Sequence, residues 1–306
     1  MNHTVKQKTR SLTALAPILL LLSFALLVVY GKTLGEAAYD SLAFAATKLI
    51  PSMFLFAVFA KIAAAIPTPQ GRRHLPLLRL PPSALTALFI GLLSGFPMGA
   101  YAAKGLYDHG ALSEKQAAHL AAYANNASLA FLLFTVSPLF GNRAVGWLLF
   151  ASGTLASLLV GILLAPKESP PTLPHIPKTP PLFPLICNAT VSASQAMLTL
   201  AGYLTLFGTL SGALLMTKLP NALITVLLIF IEPTAALRHL ATLSTPNTLP
   251  LAAFALGFSG LSILMQSMTV WQNRLSLTRL VAIRLLIGIL SASFTMLFSA
   301  IFVGHF

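Results

Sequence analysis

Acid is the scarcest commodity in this chain. Six Asp and Glu stand against nineteen Lys and Arg in 306 residues, and charged residues of both signs total only 8%. Glu232 is the only acid between Ser169 and Phe306. A soluble domain of this length cannot cover itself with so little charge. With 57% hydrophobic residues and a mean hydropathy of +0.85, the chain reads as a polytopic membrane protein. A single cysteine, Cys187, excludes an internal disulfide and a cysteine-based metal cluster. No H-E-x-x-H, P-loop, dinucleotide glycine pattern or serine–histidine–aspartate set occurs, and His109, His119 and His239 have no partner at metal-ligand spacing. No catalysis and no cofactor are therefore expected. The net charge of +13 does not indicate nucleic acid. Its basic residues lie in short patches between apolar spans (Lys6, Lys8 and Arg10; Lys61, Arg72, Arg73 and Arg79; Arg274 and Arg279), which is the positive-inside pattern.

What is abundant is apolar sequence in spans of membrane length. Ser11–Gly31 is uncharged and long enough to cross, and its basic leader predicts a retained first helix with a cytoplasmic N-terminus. Asp40–Ile66 predicts a second span, kinked at Pro51, with Lys48 and Lys61 snorkelling near its ends. Pro67–Pro82 reads as a cytoplasmic loop. Further apolar segments fall near Ser83–Leu106, Lys115–Ser137, Val145–Ala165, Ala196–Thr217, Leu219–Ala241, Leu251–Trp271 and Thr278–Val303, with proline-rich Pro166–Pro184 as the midpoint linker. Leu182–Thr217 is uncharged throughout and too long for one perpendicular span, so its polar start, Asn188–Gln195, is expected in the interface or facing the interior.

Two segments break alike. Phe89–Ala100 carries Gly95-Phe96-Pro97 in its middle, and Ala222–Ala236 carries Ile231-Glu232-Pro233. Proline forbids a straight helix through either. If both cross the bilayer, the two halves of the chain run parallel. If both turn back at their proline, each arm of about 11 residues spans roughly 16 Å, half the hydrocarbon thickness, and the halves form an inverted repeat. The positive-inside count favours the hairpins.

Paired interrupted segments are the best sequence pointer to a transporter site, because broken helices free backbone groups and present their ends. Gly95 and Pro97, with Ser94, form the first candidate turn; Glu232, Pro233 and Thr234 form the second. A carboxylate at membrane depth is costly and is kept for an ion, a substrate or a buried partner. For Glu232 the available bases are Arg238 and Arg284. Asn125 and Asn126 sit in an apolar span and, if helical, point about 100° apart, so at most one faces a site squarely. Ser259, Ser262 and Gln266, at i, i+3 and i+7, form a polar stripe on one helical face. Each set has a packing alternative: small residues for close helix approach, amides for interhelical bonds.

The two halves can be aligned. Phe96-Pro97-Met98-Gly99-Ala100 matches Glu232-Pro233-Thr234-Ala235-Ala236, and Tyr123–Ser128 matches Gly257–Ser262. At Ser94–Ala100 with Lys104, at Glu114, at Tyr123–Ser128, at Leu206-Phe207, at Glu232-Pro233-Thr234 and at Phe258–Ser262 with Gln266, the chain resembles the YlbJ-like sporulation integral membrane proteins, which carry the nucleoside-recognition, or Gate, domain. The resemblance runs from about Ala43 to Phe298. It implies a multi-pass protein of the bacterial cytoplasmic membrane in endospore formers, with repeats similar to those of concentrative nucleoside transporters and of the FeoB iron transporter's membrane part.

The expectation is thus an all-α polytopic transmembrane bundle: an N-terminal membrane helix (1–35), a first Gate-like repeat (36–165), the proline-rich linker (166–184) and a second Gate-like repeat (185–306). The expected function is a sporulation-associated permease for a small polar solute, with the named residues as a midplane site. A non-transporting membrane protein needed for spore-envelope assembly is the alternative. Expected partners are the lipid bilayer, the solute, a coupling cation or proton, and a second copy of the chain.

Overall fold

Proline and glycine cut this apolar chain into short and long helices, and no strand occurs among the described residues. The computed structural model describes residues 17, 21, 24, 25, 27–65, 80–168, 181–243, 245 and 247–301. Most of the first span, most of the basic loop after the second and most of the linker, with Lys6, Lys8, Arg10, Arg72, Arg73, Arg79 and Lys178, lie outside the described residues. Six helical stretches are long and apolar enough to cross a bilayer: Gly31–Ala63, Glu114–Leu139, Arg143–Leu163, Leu182–Leu215, Thr248–Val270 and Leu277–Ile301. Their outward faces carry Leu55, Phe59, Leu198 and Met296, exposed at 65%, 68%, 71% and 58%, which only a lipid solvent accommodates. The protein is an all-α integral membrane protein.

Helix α1 (Gly31–Phe44) passes through a π turn (Ala45–Leu49) into α2 (Ile50–Ala65). Helix therefore begins well before the expected Asp40. Pro51 does not simply kink it. The π turn lets the Ile50 N–H reach back to Ala45, taking up the carbonyl register that the proline ring would otherwise strike. The same device recurs ahead of Pro138, with a π turn at Leu132–Val136.

The first interrupted segment is α3 (Ser83–Ser94) and α4 (Met98–Asp108). A Cβ on Gly91 would stand 3.1 Å from the Gly99 Cα. Along one helix these residues would be about 12 Å apart, so the chain doubles back at Gly95–Pro97. Next come α5 (Glu114–Ala124) and α6 (129–139), separated by Asn125–Ser128, then α7 (Arg143–Leu163). Asn125 and Asn126 lie in that break rather than in a helix, which corrects the 100° expectation: both point inward.

The uncharged Leu182–Thr217 stretch forms one unbroken helix, α8 (Leu182–Leu215). The second interrupted segment is α9 (Asn221–Ile231) and α10 (Pro233–Ala241). His239 and the Thr225 hydroxyl meet at 3.1 Å, so this segment also doubles back. Helices α11 (Thr248–Phe258) and α12 (Gly260–Val270) meet at a break at Ser259, and α13 (Leu277–Ile301) completes the fold.

Each half is thus a long helix, a hairpin of two half-length arms, a span broken near its centre and an unbroken span. Packing repeats as well: α2 lies on α3 as α8 on α9, α4 on α5 as α10 on α11, and α6 on α7 as α12 on α13. The equivalent long helices lie side by side. Ala37 and Ser41 meet Gly212 and Gly208, Leu49 and Met53 share a wall with Leu200 and Leu204, and Lys61 faces Leu185. One numbering rises as the other falls, so the pair is antiparallel and the repeat is inverted. α7 and α13 form the other seam between halves.

A surface clasp ties α5 to the chain leaving α7. Lys115 and Ser113 donate to the Glu168 carboxylate at 2.7 and 3.0 Å, and the Gln116 amide donates to the Glu168 carbonyl at 2.9 Å. The Lys115 and Ser113 hydrogen bonds hold the Glu168 carboxyl below its ordinary value. A depressed pKa means that the unfolded chain binds this proton first, so the clasp's contribution is complete above the ordinary carboxylate range and is lost as pH falls through the lowered value. The melting difference between the wild type and Glu168→Gln should therefore be present at neutral pH and close on acidification. A difference independent of pH would show that the carboxylate charge is irrelevant to the clasp.

Candidate functional site

The two hairpin tips and the two broken spans converge. Gly95, at φ 77°, turns the first tip, and a side chain there would meet Ser128 and Met53. Ser94 donates to the Phe56 carbonyl at 3.2 Å, which fastens the tip to α2. Pro97 opens α4. The second tip is Glu232, whose carboxylate accepts the N–H groups of Thr234 (3.0 Å) and Ala235 (2.6 Å) at the start of α10. Pro233 occupies the first helical position, where a missing N–H costs nothing. Glu232 is 2% exposed.

Glu232 makes no ion pair with Arg238 or Arg284; its carboxyl oxygens accept two backbone N–H groups at a helix N-terminus. Two of the carboxylate's roughly four acceptor positions are thereby used. Glu232 also lines a cavity of about 50 Å³ with Phe96, Ser128, Pro233, Thr234 and Gln266, and with Leu49, Met53, Leu200 and Leu204 of the two long helices. At ~10–15 Å³ per water centre, that space holds a few waters.

The polar stripe divides at the break. Ser259 stands in the left-handed region at φ 76°, a conformation costing a non-glycine residue about 1 kcal/mol or more, and its hydroxyl donates to the Leu256 carbonyl at 3.1 Å. Ser262 and Gln266 continue on α12. Both are buried, and the Ser262 hydroxyl and the Gln266 side-chain oxygen have no partner. Gln266 reaches the Glu232 cavity; Ser262 does not line it.

Arg284 holds the breaks together. It lies on α13, 2% exposed, and one terminal nitrogen donates to the Ala122 and Asn125 carbonyls and to the Asn126 side-chain oxygen at 3.3, 3.0 and 3.2 Å. The other donates to the Leu256 carbonyl at 3.2 Å and to the Ser259 hydroxyl. Its guanidinium lies 5.6 Å from the centroid of the Phe96 ring at the first hairpin tip. A planar fork of donors suits this bridging, which a lysine could not reproduce. Asn126 also accepts from Ser157, and Asn125 donates to Ser267 at 3.0 Å. The asparagines therefore bond helices to one another and do not line the Glu232 cavity. In the sequence Arg284 stands out only as an available base for Glu232; the signal for more was its place deeper in the last apolar span than Arg279.

The repeat places these charges asymmetrically. Glu232 aligns with Phe96. Arg284, eighth residue of α13, corresponds to Phe150, eighth of α7. The fold repeats, while among the described residues the buried acid and the buried arginine both belong to the second half. Comparison with protein-family models, curated proteins and solved structures finds no match for this chain.

Proposed function

We propose that this chain is a permease for a small polar solute or ion, with Glu232 as the residue that binds it or carries the coupling proton. The observation behind this is the meeting of two hairpin tips and two broken spans of an inverted repeat around one buried carboxylate with acceptor capacity to spare. In membrane proteins, non-helical backbone is tolerated where it is buried in protein or lines a cavity, and inverted repeats of this form alternate access by one repeat moving against the other. The free acceptor positions on Glu232 favour a solute that donates hydrogen bonds or carries positive charge. A cavity of about 50 Å³ accepts an ion or a few waters as it stands; a nucleoside-sized solute requires a hairpin to swing out.

The likeness of both tips and both breaks to the YlbJ-like Gate proteins supports this reading, and with it a place in the cytoplasmic membrane of a spore-forming bacterium. Charge supports the orientation. One face gathers Lys61, Lys104, Lys115, Lys167, Arg274 and Arg279; the other has Lys32, Arg143, Lys218 and Arg238. The richer face is cytoplasmic by the positive-inside rule. The spore-envelope alternative is favoured by one observation: both Glu232 oxygens already cap α10.

Thermal melting of the purified protein against metal ions, amino acids, dicarboxylates and nucleosides separates the two. A solute at a hundredfold its Kd stabilises by about 2.7 kcal/mol. That shift should be absent in Glu232→Gln, which keeps one capping oxygen and costs only about 1 kcal/mol of cap. No shift across the panel, with the variant merely less stable, would favour the structural role.

A further inference from the structure

Two larger cavities stand at opposite ends of the antiparallel long-helix pair, and the Glu232 cavity lies between them on the same seam. The first, about 360 Å³, is walled by α1, the C-terminal half of α8 and α10, with Asp40, Ser41, Ser211, Arg238 and His239 on its lining. The second, about 440 Å³, is walled by α2, the N-terminal half of α8 and α4, with Lys61, Lys104, Asp108, His109, Asn188 and Ser192. They are counterparts under the repeat, each closed by the second arm of one hairpin and by opposite ends of one helix pair. Both carry acidic and basic groups, which suits water and not lipid.

Resting on the permease reading, we infer that water and solute reach Glu232 along this seam, through the Asp40–Arg238 chamber from one face and the Lys61–Asp108 chamber from the other. The α7–α13 seam is not the route. A cavity beside α7, bordered by Asn126, Phe150 and Gly257, is only about 20 Å³, the neighbouring α11 packs on α13 so closely that a Cβ on Gly257 would stand 2.7 Å from the Gly288 Cα, and Arg284 on α13 spends its donors on the protein. Along α1 and α2 the two walls are equal, Ser41 to Leu49 and Met53 to Lys61 each being about two turns, and the difference lies on α8. On α8, Gly208 of the first chamber is about one turn from Leu204 of the central cavity, whereas Leu200 is about two turns from Ser192 of the second. Ala57, Met98 and Met197, all buried, fall within the thicker wall. On α8 the thinner wall is the one on the Asp40 side.

Accessibility of single cysteines to a charged, membrane-impermeant thiol reagent tests this in sided vesicles holding the full chain, with Cys187→Ser as background. His239→Cys and Ser192→Cys should be modified from opposite faces. Leu204→Cys should react more slowly, and from the His239 face. Thr154→Cys, beside the small α7 cavity, should not react. Modification of His239→Cys and Ser192→Cys from one face only, or of Thr154→Cys as readily as either, would overturn the path. The reagent needs no solute, so the two readings fail separately. A Glu232-dependent ligand shift without opposite-face labelling overturns the path alone; opposite-face labelling with no such shift overturns the permease alone.

Discussion

Arg284→Met should lower the melting temperature by about 10 °C or more, the largest effect of any single polar substitution in this protein. The side chain removed is matched in bulk, so little cavity follows. What is lost is a donor set shared by five acceptors on both broken spans: the carbonyls of Ala122, Asn125 and Leu256, the Asn126 side chain and the Ser259 hydroxyl. Each buried acceptor left alone costs about 1–3 kcal/mol where no water replaces the donor, and breaking a buried charged network typically costs about 3–5 kcal/mol. At about 2–4 °C per kcal/mol for a chain of this class, the shift follows. Arg284→Lys should recover less than half of it, since one ammonium cannot bridge both breaks. Arg274→Met, on the exposed loop before α13, should stay within about 0.5 kcal/mol of the wild type. An Arg284→Met protein that melts like the Arg274→Met control would mean that the breaks hold themselves.

The hairpins were legible because their cause is local. Gly95-Phe96-Pro97 and Glu232-Pro233 forbid a straight helix whatever surrounds them, and arm lengths near half a bilayer indicated a return. The break at Asn125–Ser128 was not legible. From Ala111 to Ser137 that segment holds no glycine or proline, and it reads as continuous helix. Its opening has a tertiary cause: Arg284, 158 residues from Asn126 along the chain, takes the carbonyls that a helix would have used, and Ser128 caps the turn that follows by accepting the Phe131 N–H at 3.1 Å. Glu232 was legible as a costly buried acid, but its proline neighbour concealed the economical solution. A glutamate immediately before a helix-opening proline can satisfy that helix's own N–H groups and needs no basic partner. The polar stripe divides for the same reason as the asparagines: Ser259 sits in the break, and only Ser262 and Gln266 share a helix.

The second large effect should come from the smallest addition. Gly91→Ala and Gly99→Ala should each destabilise by the upper end of about 1–3 kcal/mol expected for overpacking, seen as a melting temperature lower by several degrees. A Cβ on Gly91 would stand 2.8 Å from the Ala124 carbonyl carbon and 3.1 Å from the Gly99 Cα; one on Gly99 would stand 2.7 Å from that same carbonyl carbon and 2.8 Å from the Asn125 Cα. Every neighbour is backbone, so no rotamer change relieves the clash, and small residues here let the hairpin sit on the break at bilayer depth. Gly105→Ala and Gly202→Ala are the controls. Both are helical with nothing within 4 Å, and alanine should gain them about 0.5–1 kcal/mol. Because Gly91 and Gly99 press on one carbonyl, the double variant should lose less than the sum of the two. Each should also lose less in an Arg284→Met background, where Asn125 is already released. Full additivity in both cycles would show that the hairpin tip and the Arg284 clamp are separate structures, and the convergence on which the site rests would fall with it.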